Sequence, residues 1–246
     1  MRGLSRQGLA PARALLASLV LALAVSGCSV LQGDDGDKEP APQAPTPAEA
    51  STDLVDSQFT RDGTFQSHLS TSGANKVDFV FTIYPTKATP RTNEWFPGGK
   101  KYFTFTFQAY DLAKKLRAPF SSKRRVYLDR VEVTSETITT NGGATESPYE
   151  LDVTAADKTF DPQPVTTRYG MLVTSPKGAF ELRNQAIGPM SKDTAGVELT
   201  FRAVVYVQAK AGSSSYVKRT VKQVVPIAIF PSDKDTVAAK IPVNAN

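Results

Sequence analysis

The chain is poor in the residues that most enzymes use for chemistry. It has one cysteine (Cys28), one histidine (His68) and one tryptophan (Trp95) in 246 residues. One histidine and one thiol exclude a two-histidine zinc site, an HExxH helix and a cysteine zinc cluster. One cysteine also excludes an internal disulfide, so an exported form of this chain must be held by its core alone. No G-x-S-x-G elbow supplies a serine nucleophile, and His68 would have to be the base of any Ser-His-Asp triad. His68 reads as a surface-loop histidine ahead of the first clear strand. The close carboxylates Glu132/Glu136 and Glu146/Glu150 read as solvated faces, because glycosidase chemistry needs a groove and a defined separation. No catalytic residue, metal site or cofactor is assigned, and the chain is read as a non-enzyme.

A long apolar run is also missing. Residues 14–27 are apolar or small but span only ~21 Å as a helix, against a hydrocarbon core of ~30 Å. Arg2, Arg6 and Arg13 precede the run, and Ser26 and Gly27 close it. That order is the secretory signal pattern. Val25-Ser26-Gly27-Cys28, with Leu23 upstream, resembles the lipobox of bacterial lipoproteins. Valine in its first position is a less common variant. The resemblance covers the signal segment alone. It implies cleavage before Cys28 and acylation of that residue, which removes the only thiol from any catalytic argument. Two or more acyl chains give stable anchoring, where one is marginal. The expected location is the bacterial cell envelope, on the outer face of the plasma membrane or on the outer membrane.

Charge divides by segment. Residues 28–54 carry six acids and one base, while residues 55–246 carry 25 basic and 18 acidic residues. The first segment, rich in Pro and Ala, cannot bury enough apolar surface to fold and reads as a linker. It would span roughly 30 Å as a coil and roughly 80 Å as extended polyproline. The basic remainder suits an anionic envelope polymer or another envelope protein as partner, beside the membrane lipid reached through Cys28; nucleic acid is not expected.

From about Thr60 the hydrophobic period becomes two. Residues 76–84, 100–110, 124–140, 196–210 and 215–230 read as strands rich in aromatic and β-branched residues. In 124–140 the apolar parity switches, and a bulge near Asp129–Arg130 restores the core face. Pro226 is expected to interrupt the last strand. Weaker strands are expected near 149–154, 165–174 and 179–183, a hairpin at Gly212–Ser214, and one or two helical turns in 111–118. The fold class is all-β, an antiparallel immunoglobulin-like β-sandwich. The division is a signal peptide at 1–27, an acylated Cys and linker at 28–57, a sandwich at 58–232 (one elaborated unit or two small ones) and a loose tail at 233–246, with a short strand near 240–243.

Two segments stand out as candidate binding elements. KKLRAPFSSKRR (114–125) places six cations in twelve residues: Lys114, Lys115, Arg117, Lys123, Arg124 and Arg125. EWFPGGKKYF (94–103) holds Trp95, either as an exposed tip or folded over the end of the core. The expected function is a membrane-anchored, non-enzymatic binding or scaffolding lipoprotein. The alternatives are an envelope hydrolase with an unrecognised site and an accessory substrate-binding lipoprotein.

Overall fold

In a computed structural model, residues 55–87 and 92–231 are described. The expected signal segment, Cys28, most of the expected linker and the expected C-terminal tail lie outside them. The described elements are a short helix α1 (Gln58–Asp62), β1 (Phe65–Leu69), β2 (Val77–Pro85), β3 (Lys101–Asp111), β4 (Val126–Thr139), β5 (Leu151–Thr154), a one-turn helix α2 (Ala155–Lys158), β6 (Thr166–Thr167), β7 (Gly170–Leu172), β8 (Phe180–Ile187), β9 (Thr194–Gln208) and β10 (Tyr216–Ala228). Sheet 1 has the order β1-β2-β3-β8, and sheet 2 the order β10-β9-β4-β7-β6, with β5 also on β4. Every pairing between these strands is antiparallel.

Strict alternation makes the two sheets face each other. In β2, Phe79, Phe81 and Ile83 are buried while Asp78, Val80 and Thr82 are half-exposed. In β3, Phe103, Phe105 and Phe107 occupy the same face. Phe201 on β9 crosses the gap between sheets. Its ring lies 4.6 Å from Phe81, 5.0 Å from Phe105 and 6.4 Å from Phe103. Each such buried ring stabilises the fold by ~1.5–3 kcal/mol relative to exposure.

The parity switch in 124–140 is a bulge. The β4–β9 register jumps from Leu128 to Arg130, leaving Asp129 unpaired. Val126 and Leu128 before it and Val131 and Val133 after it all reach the core. The expected hairpin joins β9 to β10, with the Ala209 amide donating to the Ser215 carbonyl at 3.0 Å.

Three local expectations are corrected. Pro226 does not interrupt β10: it pairs with Glu198, and the register continues to Ala228 opposite Gly196. The reason is parity on an edge strand. The Pro226 carbonyl accepts from Ser57 Oγ at 2.9 Å, and the Ala228 amide donates to Thr60 Oγ1 at 3.1 Å. Backbone groups at these even positions point away from β9, so the missing N–H costs no ladder bond. Residues 111–118 form turns without a helix, closed by Lys114 N to Asp111 O and Ala118 N to Lys115 O. Asp111 Oδ1 accepts from the Ala113 amide at 3.2 Å, a local bond that competes with helix. His68 also belongs to β1 and not to a loop, with Nδ1 2.7 Å from Asp78 Oδ2.

The two ends of the sandwich are distinct. At one end the chain enters through Val55, which packs on Gly196, and α1 covers the edge of β10. At the other end Gln208 meets the start of β4, where its Oε1 accepts from the Arg125 amide at 3.0 Å. Along β9 from Gly196 to Gln208 the separation is roughly 40 Å.

Candidate functional site

The cations of 114–125 divide into structural and presented groups. Lys123 is buried, and its Nζ donates to the Leu116 carbonyl at 2.7 Å. Arg124 is drawn inward by Asp111, whose Oδ1 accepts from Nε at 3.1 Å and Nη2 at 2.7 Å. Arg124 Nη2 also donates to the carbonyls of Asn75 and Lys76. Burial alone would raise the Asp111 pKa. The hydrogen bonds and positive charge of Arg124, with the Ala113 amide, outweigh it and hold the carboxyl below its ordinary value. Lys114, Lys115, Arg117 and Arg125 remain exposed.

Trp95 is not part of that surface. It is buried against Phe59 in an edge-on contact at 5.0 Å, its Nε1 donates to the Thr92 carbonyl, and it bridges to Ile229. Its carbonyl accepts from the Phe230 amide at 2.8 Å. These contacts place it at the α1 end, the length of β9 away from residues 114–125. An aromatic next to Pro-Gly-Gly folds over the core here because Lys101 organises the turn. The Lys101 Nζ is buried and donates to the carbonyls of Phe96, Pro97 and Gly99 at 2.8, 2.8 and 2.6 Å.

The carboxylate pairs take separate environments. Glu132 faces Arg202 at 3.5 Å, and the Glu146 carboxylate accepts from the Ser191 amide. Glu136 and Glu150 line one open groove of ≈380 Å³ with Ser135, Tyr149 and Arg202. Ser135 Oγ donates to the Tyr149 carbonyl and accepts from its amide, both at 2.7 Å. Burial raises the Tyr149 hydroxyl pKa, and that hydroxyl donates to Gln185. Among the described residues no cluster of three or more His, Cys, Asp or Glu could hold a metal ion.

A second surface gathers four tyrosines on the outer face of sheet 2. Tyr127 pairs with Tyr206 across β4 and β9, and Lys218 pairs with Tyr206 across β9 and β10. Tyr216 follows at the start of β10. The two-residue turn between β6 and β7 lays Tyr169 over them, 4.4 Å from Tyr216, 5.1 Å from Tyr206 and 6.4 Å from Tyr127. That turn depends on Gly170, which has φ +100°, and whose Cβ, if present, would strike the Leu128 carbonyl. Tyr127 is buried beneath the group, while Tyr169, Tyr206 and Tyr216 are half-exposed. Burial, with Tyr127 close by, raises the Tyr216 hydroxyl pKa.

Cations ring this aromatic group. The Arg168 guanidinium lies 4.8 Å from the Tyr169 ring centre, and Lys218 Nζ 5.6 Å from that of Tyr206. Arg125 adds its charge near Tyr216. Half-exposed tyrosines offer rigid apolar faces with hydroxyl rims, and adjacent cations add charge selectivity. The sequence carried one signal for this surface: tyrosines at outward positions of alternating strands, as Tyr206 is among Glu198, Thr200 and Arg202. No protein-family model matches the chain, and no curated protein matches its sequence.

Proposed function

We propose that this protein is a lipid-anchored, non-enzymatic binding or scaffolding module of the bacterial cell envelope, working through the tyrosine-and-cation face of sheet 2. The observation that carries this reading is the Tyr169 stack, in which a glycine-dependent turn covers Tyr127, Tyr206 and Tyr216 beside Arg125, Arg168 and Lys218. The anchor follows from Val25-Ser26-Gly27-Cys28. The partner that fits is an anionic envelope polymer, with ring faces against tyrosine and acidic groups against the cations. The sandwich is read as immunoglobulin-like, supported by the chain crossing from sheet 1 to sheet 2 after β3, back for β8 and again for β9.

The test uses the full chain and purified anionic envelope polymer. Tyr169→Ala and Arg168→Glu are each expected to weaken binding ~30-fold, as a central aromatic or arginine contact does. Unchanged binding in both, with native near-ultraviolet circular dichroism, overturns the proposed surface. The anchor is tested separately: Cys28→Ser is expected to abolish acylation and release the protein from the membrane fraction.

A further inference from the structure

We propose that residues 112–117 and the groove beside them dock the domain directly onto an anionic phospholipid surface. This goes beyond polymer binding, and it uses a different part of the molecule. Leu112 and Leu116 are 62% and 70% exposed, the two most exposed large apolar side chains among the described residues. Between and beside them Lys114, Lys115 and Arg117 are exposed. Single exposed leucines are ordinary, but a pair on one loop among three cations forms an amphipathic tip.

The tip is held in this shape by buried groups. Lys123 fixes the Leu116 carbonyl, so the leucine side chain is presented outward on a tethered backbone. The Leu112 amide donates to the Lys76 carbonyl at 2.8 Å, and the Arg124–Asp111 pair closes the base of the loop. Beside the tip lies an open groove of ≈320 Å³, lined in part by Lys76, Lys114, Ser122, Arg124 and Lys210. Asp111 is the one acid in its lining, and Arg124 already occupies it. An anionic phospholipid surface offers a partner to both kinds of side chain on this loop, phosphate to the cations and hydrocarbon to the leucines.

Chain length permits the contact. The described domain begins at Val55, at the end opposite the tip, roughly 40 Å away along β9. The residues from Cys28 to Leu54 reach roughly 80 Å when extended, enough to pass the domain and return the tip to the membrane. An anchored chain therefore presents the tip at high local lipid concentration.

The experiment exploits the lone cysteine. Full chain carrying Cys28→Ser is cysteine-free, so Leu116→Cys takes a single environment-sensitive fluorophore. Ile138→Cys, near Gly196 at the far end, is the control. Vesicles of phosphatidylglycerol with phosphatidylcholine are expected to blue-shift the label at 116 and not at 138. Vesicles of phosphatidylcholine alone are expected to leave both unchanged. Lys114→Gln with Lys115→Gln should weaken binding ~30-fold, at ~1 kcal/mol or about fivefold per charge. Replacing Leu112 by Ser in the labelled chain should weaken it ~10-fold. No shift at 116, equal shifts at both positions, or the same shift with soluble glycerol phosphate alone overturns the proposal. Because this chain has no acylation site, a negative result leaves the anchor and the polymer surface standing.

Discussion

Asp111→Asn is the substitution with the most widely spread effect. The carboxylate is almost wholly enclosed, with 3% of its side chain exposed, and it accepts four hydrogen bonds. Two come from the Arg124 guanidinium, one from the Arg124 amide at 2.9 Å and one from the Ala113 amide at 3.2 Å. An asparagine keeps one acceptor oxygen and turns an NH₂ toward the remaining donors. One backbone N–H then loses its partner, at ~1–3 kcal/mol, and Arg124 loses its counter-ion. Removing one member of a buried pair costs ~3–5 kcal/mol. We expect ~3 kcal/mol, because the Asn75 and Lys76 carbonyls still hold Arg124. For a domain of this size that lowers Tm by about 6–12 °C.

The acid dependence supplies a sharper readout. The Asp111 carboxyl sits below its ordinary value, so its contribution is present above the unfolded pKa of ~3.9 and is lost as pH falls through the folded one. Asp111→Asn removes a titrating group and flattens the stability curve below about pH 4. Urea denaturation at several pH values measures both effects, and a double-mutant cycle with Arg124→Met isolates the pair. A loss under ~1 kcal/mol at neutral pH, or an acid dependence unchanged from the parent, refutes the reasoning.

Three other substitutions address separate parts of the fold. Phe201→Ala removes the ring that sheet 1 phenylalanines surround and should cost ~3–5 kcal/mol in chemical denaturation, without changing the sheet signature in circular dichroism. Lys101→Met leaves the Phe96, Pro97 and Gly99 carbonyls without their ammonium donor and should cost ~2–4 kcal/mol; amide exchange in 96–101 should rise. Gly170→Ala should lift Tyr169 from its stack, change near-ultraviolet tyrosine circular dichroism and reduce polymer binding while the core stays folded.

The long strands were legible because each sheet buries one face, so period two appears directly in KVDFVFTIY and GVELTFRAVVYVQAK. Even the bulge showed, since a parity switch between Leu128 and Val131 has one inexpensive structural solution. The short strands β6 and β7 are defined by pairing alone and carry little pattern. Pro226 misled because a proline marks an edge or a break equally well, and the deciding fact is which way its absent N–H would point. The basic segment shows the limit most clearly. Composition counts six equal cations, but Lys123 satisfies a carbonyl and Arg124 a carboxylate, while Lys114 and Lys115 face water. The tyrosine face assembles from β4, β9, β10 and a distant turn, so no window of sequence contains it.

The division between ends also bears on how the domain carries load. In the proposed lipid-anchored form, a pull on the chain enters the described domain at Val55. There, α1 lies along the open edge of β10, with Ser57 and Thr60 bonded to Pro226 and Ala228 and Phe59 packed on Trp95. The same helix thus seals the strand edge against pairing with another chain and takes the pull through buried contacts. The tip and the tyrosine face sit at the other end of β9, the tip on a loop pinned by Asp111 and Lys123 and the tyrosine face on strands covered by the turn before Gly170. The contacts of α1 are therefore separate from those that hold the proposed tip and the tyrosine face. Thr60→Val, which removes the acceptor for the Ala228 amide, should raise amide exchange at Ala228 while leaving vesicle docking at Leu116 intact. Loss of docking in that variant, with the domain still folded, would show that the two ends are coupled and that the separation argued from β9 is wrong.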